Sequence, residues 1–169
     1  MKKNILITGP PASGKSTLIR TVIQGKSFGG IITPEIKRNG ERWGFKVVDL
    51  RTEKEATFAS VEIKPAVVSK YGLDLEAFEK IALPAIEWAM LNSDIVVIDE
   101  IGLMECKSEK FKYLIEQALG TKKVLATISF KSKDPFIEKI KNRKDVEIFY
   151  LTKINFGSVL NRIKEKLKF

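Results

Sequence analysis

Apolar positions along this chain change period repeatedly, and each change marks an element. Asn4 to Thr8 is a short, mainly apolar run closed by glycine, which reads as a buried strand. Lys15 to Gln24 then places Leu18, Ile19 and Val22 at helical spacing. "GGIITPEI" and "ERWGFKVVDL" read as strands around "KRNG", where Asn39-Gly40 favours the positive backbone angles of a hairpin turn. With "EKEATFA" as a further strand, the section from about 30 to 60 reads as antiparallel.

The period returns to helical after Asp74, a candidate N-cap. Leu75, Phe78, Ile81, Ala82, Ala85, Ile86, Ala89 and Met90 form one stripe of a long amphipathic helix. Pro84 inside it predicts a kink, or the first turn of a second helix. "DIVVIDE" reads as a strand, Ser108 to Leu119 as a helix, "KKVLATIS" as a strand and Asp134 to Lys141 as a short helix. "DVEIFYL" and a helix over Asn155 to Lys168 complete the chain. Strands alternating with helices predict an α/β fold: a mostly parallel sheet flanked by helices, with an antiparallel hairpin insertion around 30–60. No repeat, low-complexity tract or linker divides it, so residues 1–169 read as one domain.

Composition removes several kinds of chemistry. There is no histidine and one cysteine, Cys106, so an internal disulfide and an ordinary zinc site are both excluded, and any metal should be oxygen-bound. Without histidine, a proton must pass through a carboxylate, a lysine or water. The formal charge of +9 suits a polyanion partner, but only six of the thirty basic residues are arginines and the lysines are scattered, so nucleic acid is possible and not expected. The apolar run in "MKKNILITG" is too short for a signal peptide, which points to the cytoplasm, and no run is long enough to cross a bilayer. The basic last helix reads as docked, with lysines favoured by its C-terminal dipole, rather than as a membrane tail. No surface stripe is apolar enough to argue for an obligate dimer.

One stretch carries specific chemistry. Gly9-Pro10-Pro11-Ala12-Ser13-Gly14-Lys15-Ser16 fits G-x-x-x-x-G-K-[ST] between a strand and a helix, the context of a phosphate-binding loop. Its backbone N–H groups, with Thr17 following, would cradle phosphates; Lys15 would reach the β- and γ-phosphates and Ser16 would ligate Mg²⁺. "DIVVIDE" supplies Asp99 as the metal-side carboxylate, and Glu100 at the strand tip to orient or deprotonate an attacking water. Thr127 or Ser129 is a candidate γ-phosphate sensor, with a core or turn role the equal alternative. Lys37, Arg38 and Arg42 around the hairpin are candidate cations over the site, and Lys131, Lys133 and Arg143 follow later strands; the alternative for each is a solvated charge.

The chain resembles the small nucleoside-triphosphatases first described from thermophiles, whose vertebrate member is called cancer-related nucleoside triphosphatase. The likeness covers nearly the whole chain and rests on "ITGPPASGKSTLI", "GGIITPEIKRNGERWGF", "YGLDLEAFEKIALPAI", "VVIDEIGLMEC", "VLATI" and "PFIEKIK" in that order. It implies a RecA-like core and slow, Mg²⁺-dependent hydrolysis of ATP, GTP, CTP and UTP, with Gly9 to Ser16 on the phosphates, Asp99 on Mg²⁺ and Glu100 on the water. Lys37, Leu103 and Phe156 depart from it, standing where the family has arginine, lysine and arginine. Two other readings share the loop and the sheet: a kinase passing the γ-phosphate to a nucleotide or other small acceptor, and a nucleotide-switched module binding nucleic acid or protein.

Overall fold

The computed structural model describes residues 2–168. Its first strand, β1 (Asn4–Thr8), leads into helix α1 (Lys15–Ile23), followed by β2 (Phe28–Ile32), β3 (Glu35–Arg38), β4 (Glu41–Asp49), β5 (Glu55–Ser60) and the short β6 (Gly72–Leu73). Then come α2 (Leu75–Asn92), β7 (Ile95–Ile101), α3 (Glu109–Thr121), β8 (Lys123–Ile128), α4 (Pro135–Lys141), β9 (Val146–Tyr150) and α5 (Phe156–Lys166), with one 3-10 turn at Glu105–Lys107.

Among the described residues all the strands join one mixed sheet, ordered β6-β5-β4-β2-β7-β8-β1-β9, with β3 paired to β4. The half from β2 to β9 is parallel. The half built on β4 is antiparallel, and β4 joins β2 at Ile31 and Ile32. β2 therefore belongs to both halves: "GGII" lies parallel to β7, its Ile31 and Ile32 also open the antiparallel section against β4, and β6 adds a strand that the apolar pattern does not mark.

The period of two along the parallel strands sorts their side chains onto two faces. Leu6, Val96 and Ile98 join a core with Phe78 and Ile86 of α2 and Phe111 and Ile115 of α3. Ile5, Ile7, Ile95 and Val97 join a second core with Leu18 and Val22 of α1 and Val159 and Ile163 of α5. Burying each such side chain stabilises the fold by roughly 1.5–3 kcal/mol, which makes these two layers the main source of its stability. Two helix starts are capped by carboxylates, the first of them as the sequence suggests. Asp74 accepts the Ala77 N–H at 3.0 Å, and Asp134 accepts those of Phe136 and Ile137 at 2.9 and 3.3 Å.

Pro84 starts no second helix. It stands on the exposed face of a continuous α2, so the donor it lacks is missing on the water side. Gly30, at φ 127°, is dictated by crowding, since a Cβ there would lie 2.0 Å from the Val97 carbonyl oxygen. The last helix is docked: Arg162 and Lys166 both reach Glu147 on β9. Among the described residues no helix is long and apolar enough to cross a membrane.

Candidate active site

The carboxyl ends of β1, β8, β7 and β2 lie side by side, so four stretches far apart in sequence meet in one crevice, where ligands bind in open α/β sheets. From β1 comes the loop Gly9–Ser16. Gly14 ends it at φ 98° as the N-cap of α1, with no side chain capping the first turn, so backbone N–H groups there face the loop unpaired by any side chain. Ala12 is also left-handed, at φ 61°, an uncommon conformation for a residue with a Cβ. Lys15 Nζ folds back to donate to the carbonyls of Gly9 at 2.7 Å and Pro10 at 3.0 Å. The Ser13 hydroxyl is buried and has no hydrogen-bond partner among the described residues. A helix start that no side chain caps, beside an orphaned buried hydroxyl, has the chemistry of an anion cradle.

Asp99, on β7, is held from both sides. Ser16 Oγ donates to its Oδ2 and Thr127 Oγ1 to its Oδ1, each at 2.7 Å. This places Thr127 behind the aspartate, as the group that fixes its rotation. Ser129 instead accepts the Ser132 N–H at 3.3 Å in the turn after β8. Among the described residues no three acidic or thiol side chains converge on a metal site. Ser16 and Asp99 nevertheless form a pair of hard oxygen donors, and Mg²⁺ commonly takes only one or two protein oxygens, with phosphates and water completing its shell. The donor set therefore fits a nucleotide-borne Mg²⁺.

Glu100 sits next along the strand, where the pairing of β7 with β8 shifts register between Ile98 and Ile101. Burial pushes its carboxyl above the ordinary carboxylate range, the Asp99 charge pushes it further, and Lys15 pulls it back. Two residues that the sequence did not flag surround it. Thr33 Oγ1 accepts the Glu100 N–H at 3.2 Å and lies 3.1 Å from the Asp99 carbonyl and 2.7 Å from Glu105 Oε2. Glu105, in the 3-10 turn, is 6% exposed; burial first, and then the Glu100 charge, push its carboxyl up to about 8. One hydroxyl proton on Thr33 cannot serve two oxygens, and the proton that Glu105 retains at neutral pH supplies the second bond.

A chamber of about 600 Å³ opens beside this cluster, running from Lys15 and Ser16 past Asp99 and Glu100 to the far side of α1 and the β3–β4 hairpin. Of the candidate cations, Lys37 and Arg42 line it, and both pair with Glu35, at 3.5 and 2.6 Å. Arg38 does not: it lies over the Trp43 ring at 3.6 Å and faces Glu62 at 3.7 Å. Arg143 is engaged by both oxygens of Asp145, so it is not free for nucleotide. Thr17 is exposed on the first turn of α1, and Lys131 and Lys133 are exposed after β8.

A family model described as NTPase matches residues 4–164, from β1 into α5. The chain belongs to this nucleoside-triphosphatase family. It is 44% identical over 168 residues to the nucleoside-triphosphatase THEP1 of Thermotoga sp. (strain RQ2), covering 98% of this chain and 95% of that one. It is 41% identical over 151 residues to the protein of the same name from Methanothermobacter thermautotrophicus, covering 86% and 84%. The crystal structure of THEP1 from Aquifex aeolicus superposes with a TM-score of 0.88 at 30% identity, over 98% of this chain and 99% of that one. The solution structure of a human cancer-related nucleoside triphosphatase gives 0.81 at 34% identity, over 98% and 97%. Leu103 is exposed on the turn after β7, and the Phe156 ring packs against Gly14 of the loop.

Proposed function

We propose that this chain, as one domain over residues 1–169, hydrolyses nucleoside triphosphates slowly and with broad base choice, cleaving the β–γ bond to release phosphate and the diphosphate. The observation that carries the reading is Asp99, clamped by Ser16 and Thr127, with Glu100 and Lys15 in the same crevice. The activity named for the relatives, nucleoside triphosphatase, supports it.

In this reading the loop from Gly9 to Thr17 wraps the phosphates with backbone donors, and the end of α1 adds its positive dipole. Lys15 leaves the carbonyls of Gly9 and Pro10 for the β- and γ-phosphates, where its charge offsets what builds up as the bond breaks. Ser16 and Asp99 would hold Mg²⁺, which when bound supplies charge neutralisation at the phosphates. Glu100 orients the attacking water and takes its proton; in a chain without histidine, a carboxyl raised by burial is well matched to this task. Thr33 and Glu105 keep the Glu100 backbone fixed while it acts.

Phosphate release from ATP, GTP, CTP and UTP, with Mg²⁺ and with a chelator, tests the reading. Release from all four, lost with the chelator and in Lys15→Ala, is expected. A Lys15→Ala protein that hydrolyses at the parent rate would sink it.

A further inference from the structure

The turn between β9 and α5 runs alongside the phosphate loop and touches it at both ends. At one end the Leu151 N–H donates to the Thr8 carbonyl at 2.8 Å, and a Cβ on Gly9 would collide with the Leu151 carbonyl oxygen. At the other, the Phe156 ring would lie 3.3 Å from a Cβ on Gly14. Residues 152–155 are thereby fixed beside the loop, on the side of β1 away from β8 and β7. The turn is also closed on itself. Asn155 Oδ1 accepts the Thr152 N–H at 2.8 Å, Asn155 Nδ2 donates to the Tyr150 carbonyl at 2.8 Å, and the Asn155 N–H donates to Thr152 Oγ1 at 3.3 Å.

This closed turn presents Ile154 to water. At 98% it is more exposed than any other large apolar side chain among the described residues. It is not an isolated case at this end of the sheet, since Tyr150, at the tip of β9, is 48% exposed and meets the Phe130 ring edge-on at 5.3 Å. Sheet order says what would cover such a surface. With the γ-phosphate beside Asp99 and Glu100 at the tip of β7, two strands, β8 and β1, separate it from β9. At about 4.8 Å per strand, β9 stands about 14 Å from β7. A triphosphate lying across the loop from Glu100 therefore sends its nucleoside toward the turn. Its base is the flat, apolar part of that substrate, and Ile154 is the apolar group waiting where it emerges.

We propose that the turn 152–155 is the subsite for the nucleoside, with Ile154 covering one face of the base, and that it holds all four bases alike. The proposal rests on the placement of the γ-phosphate beside Glu100 given above. Its indifference to the base follows from what the turn lacks. Both ends of the Asn155 amide are taken by backbone groups, and no carboxylate stands between Tyr150 and Gly157. The turn thus offers a face to lie on and no side-chain amide or carboxylate free to read a base edge. Every base has a face, so such contact tolerates all of them. Phe156, where the family has arginine, backs the turn with a ring in place of a charge.

The test titrates ATP, GTP, CTP, UTP and inorganic triphosphate, each with Mg²⁺, into the full chain by calorimetry, and follows phosphate release from the four nucleotides in parallel. The parent should bind the four nucleotides within about threefold of one another. Ile154→Ser should weaken all four about tenfold and leave inorganic triphosphate, which has no nucleoside, at the parent affinity. Ile154→Trp, which offers a larger face, should tighten the four about threefold or more. The side chain at 154 packs in no core, so neither substitution disturbs the fold. Unchanged nucleotide affinity in Ile154→Ser would overturn the proposal, and phosphate release by the parent would then leave the hydrolysis reading standing. An equal loss for ATP and inorganic triphosphate would assign the effect to the phosphate loop and overturn the subsite, as would a preference of about 100-fold for one base in the parent. The expected binding pattern with no phosphate release would support the subsite and overturn hydrolysis. No binding of any nucleotide by the parent would overturn both.

Discussion

Replacing Glu105 with glutamine should flatten the dependence of stability on pH. In the unfolded chain this carboxyl titrates near 4.5; in the folded protein, burial and the Glu100 charge raise it to about 8. Below 4.5 both states carry the proton, and the residue is buried neutral. Between the two values only the folded state keeps it, so stability falls as pH rises, and above 8 the full cost of a buried anion is felt. At 1.36 kcal/mol per unit, that window sets a ceiling of about 5 kcal/mol, reduced by whatever water reaches the turn. Glutamine cannot ionise, and its amide can still donate to Thr33. Urea unfolding at pH 5, 7 and 9 reads the difference. The parent should lose stability across the series relative to Glu105→Gln, with the gap widest at pH 9. The lowered carboxyls of Glu35 and Asp145 lose their contribution only at acid pH and do not confuse this window. Equal slopes for the two proteins would refute a protonated Glu105 and, with it, the hydrogen-bond assignment around Thr33.

Three further outcomes follow from the same contacts. Thr127→Val frees one oxygen of Asp99, and the Mg²⁺ concentration for half-maximal phosphate release should rise about tenfold; an unchanged requirement would count against the clamp. Gly30→Ala forces a methyl group against the Val97 carbonyl oxygen and should destabilise the fold by at least about 3 kcal/mol in urea, so parental stability would contradict the close approach of β2 to β7. Burial pushes the Cys106 thiol well above its usual range, so a thiol reagent should leave the folded protein unmodified and react fully in urea; labelling in buffer alone would contradict that burial.

How much of this was legible beforehand depends on how local each signal is. The loop and the tip of β7 are written in consecutive residues, so Lys15, Ser16, Asp99 and Glu100 were readable, and the structure brings them together in one crevice. Thr127 was visible only as a hydroxyl at a strand end; its grip on Asp99 depends on β8 lying beside β7. Thr33 and Glu105 carry no local mark, since a threonine before proline and a glutamate in a turn are ordinary surface residues. Only the return of β2 beside β7 makes them partners, and only burial keeps the proton on Glu105. The antiparallel partner of "GGII" follows it closely in sequence and is readable, whereas its parallel partner β7 is not, because a glycine pair does not reveal which strand it must approach. Arg38 and Arg42, four apart around one turn, looked equivalent, yet Trp43 takes one and the chamber takes the other.

The proposed hydrolysis depends on Glu100 handling the attacking water. Single-turnover phosphate release by Glu100→Gln, with nucleotide affinity measured in parallel by a fluorescent triphosphate, tests it most directly. Binding close to that of the parent with release slowed about 100-fold or more is the predicted result. Release at the parent rate with binding intact would contradict the account.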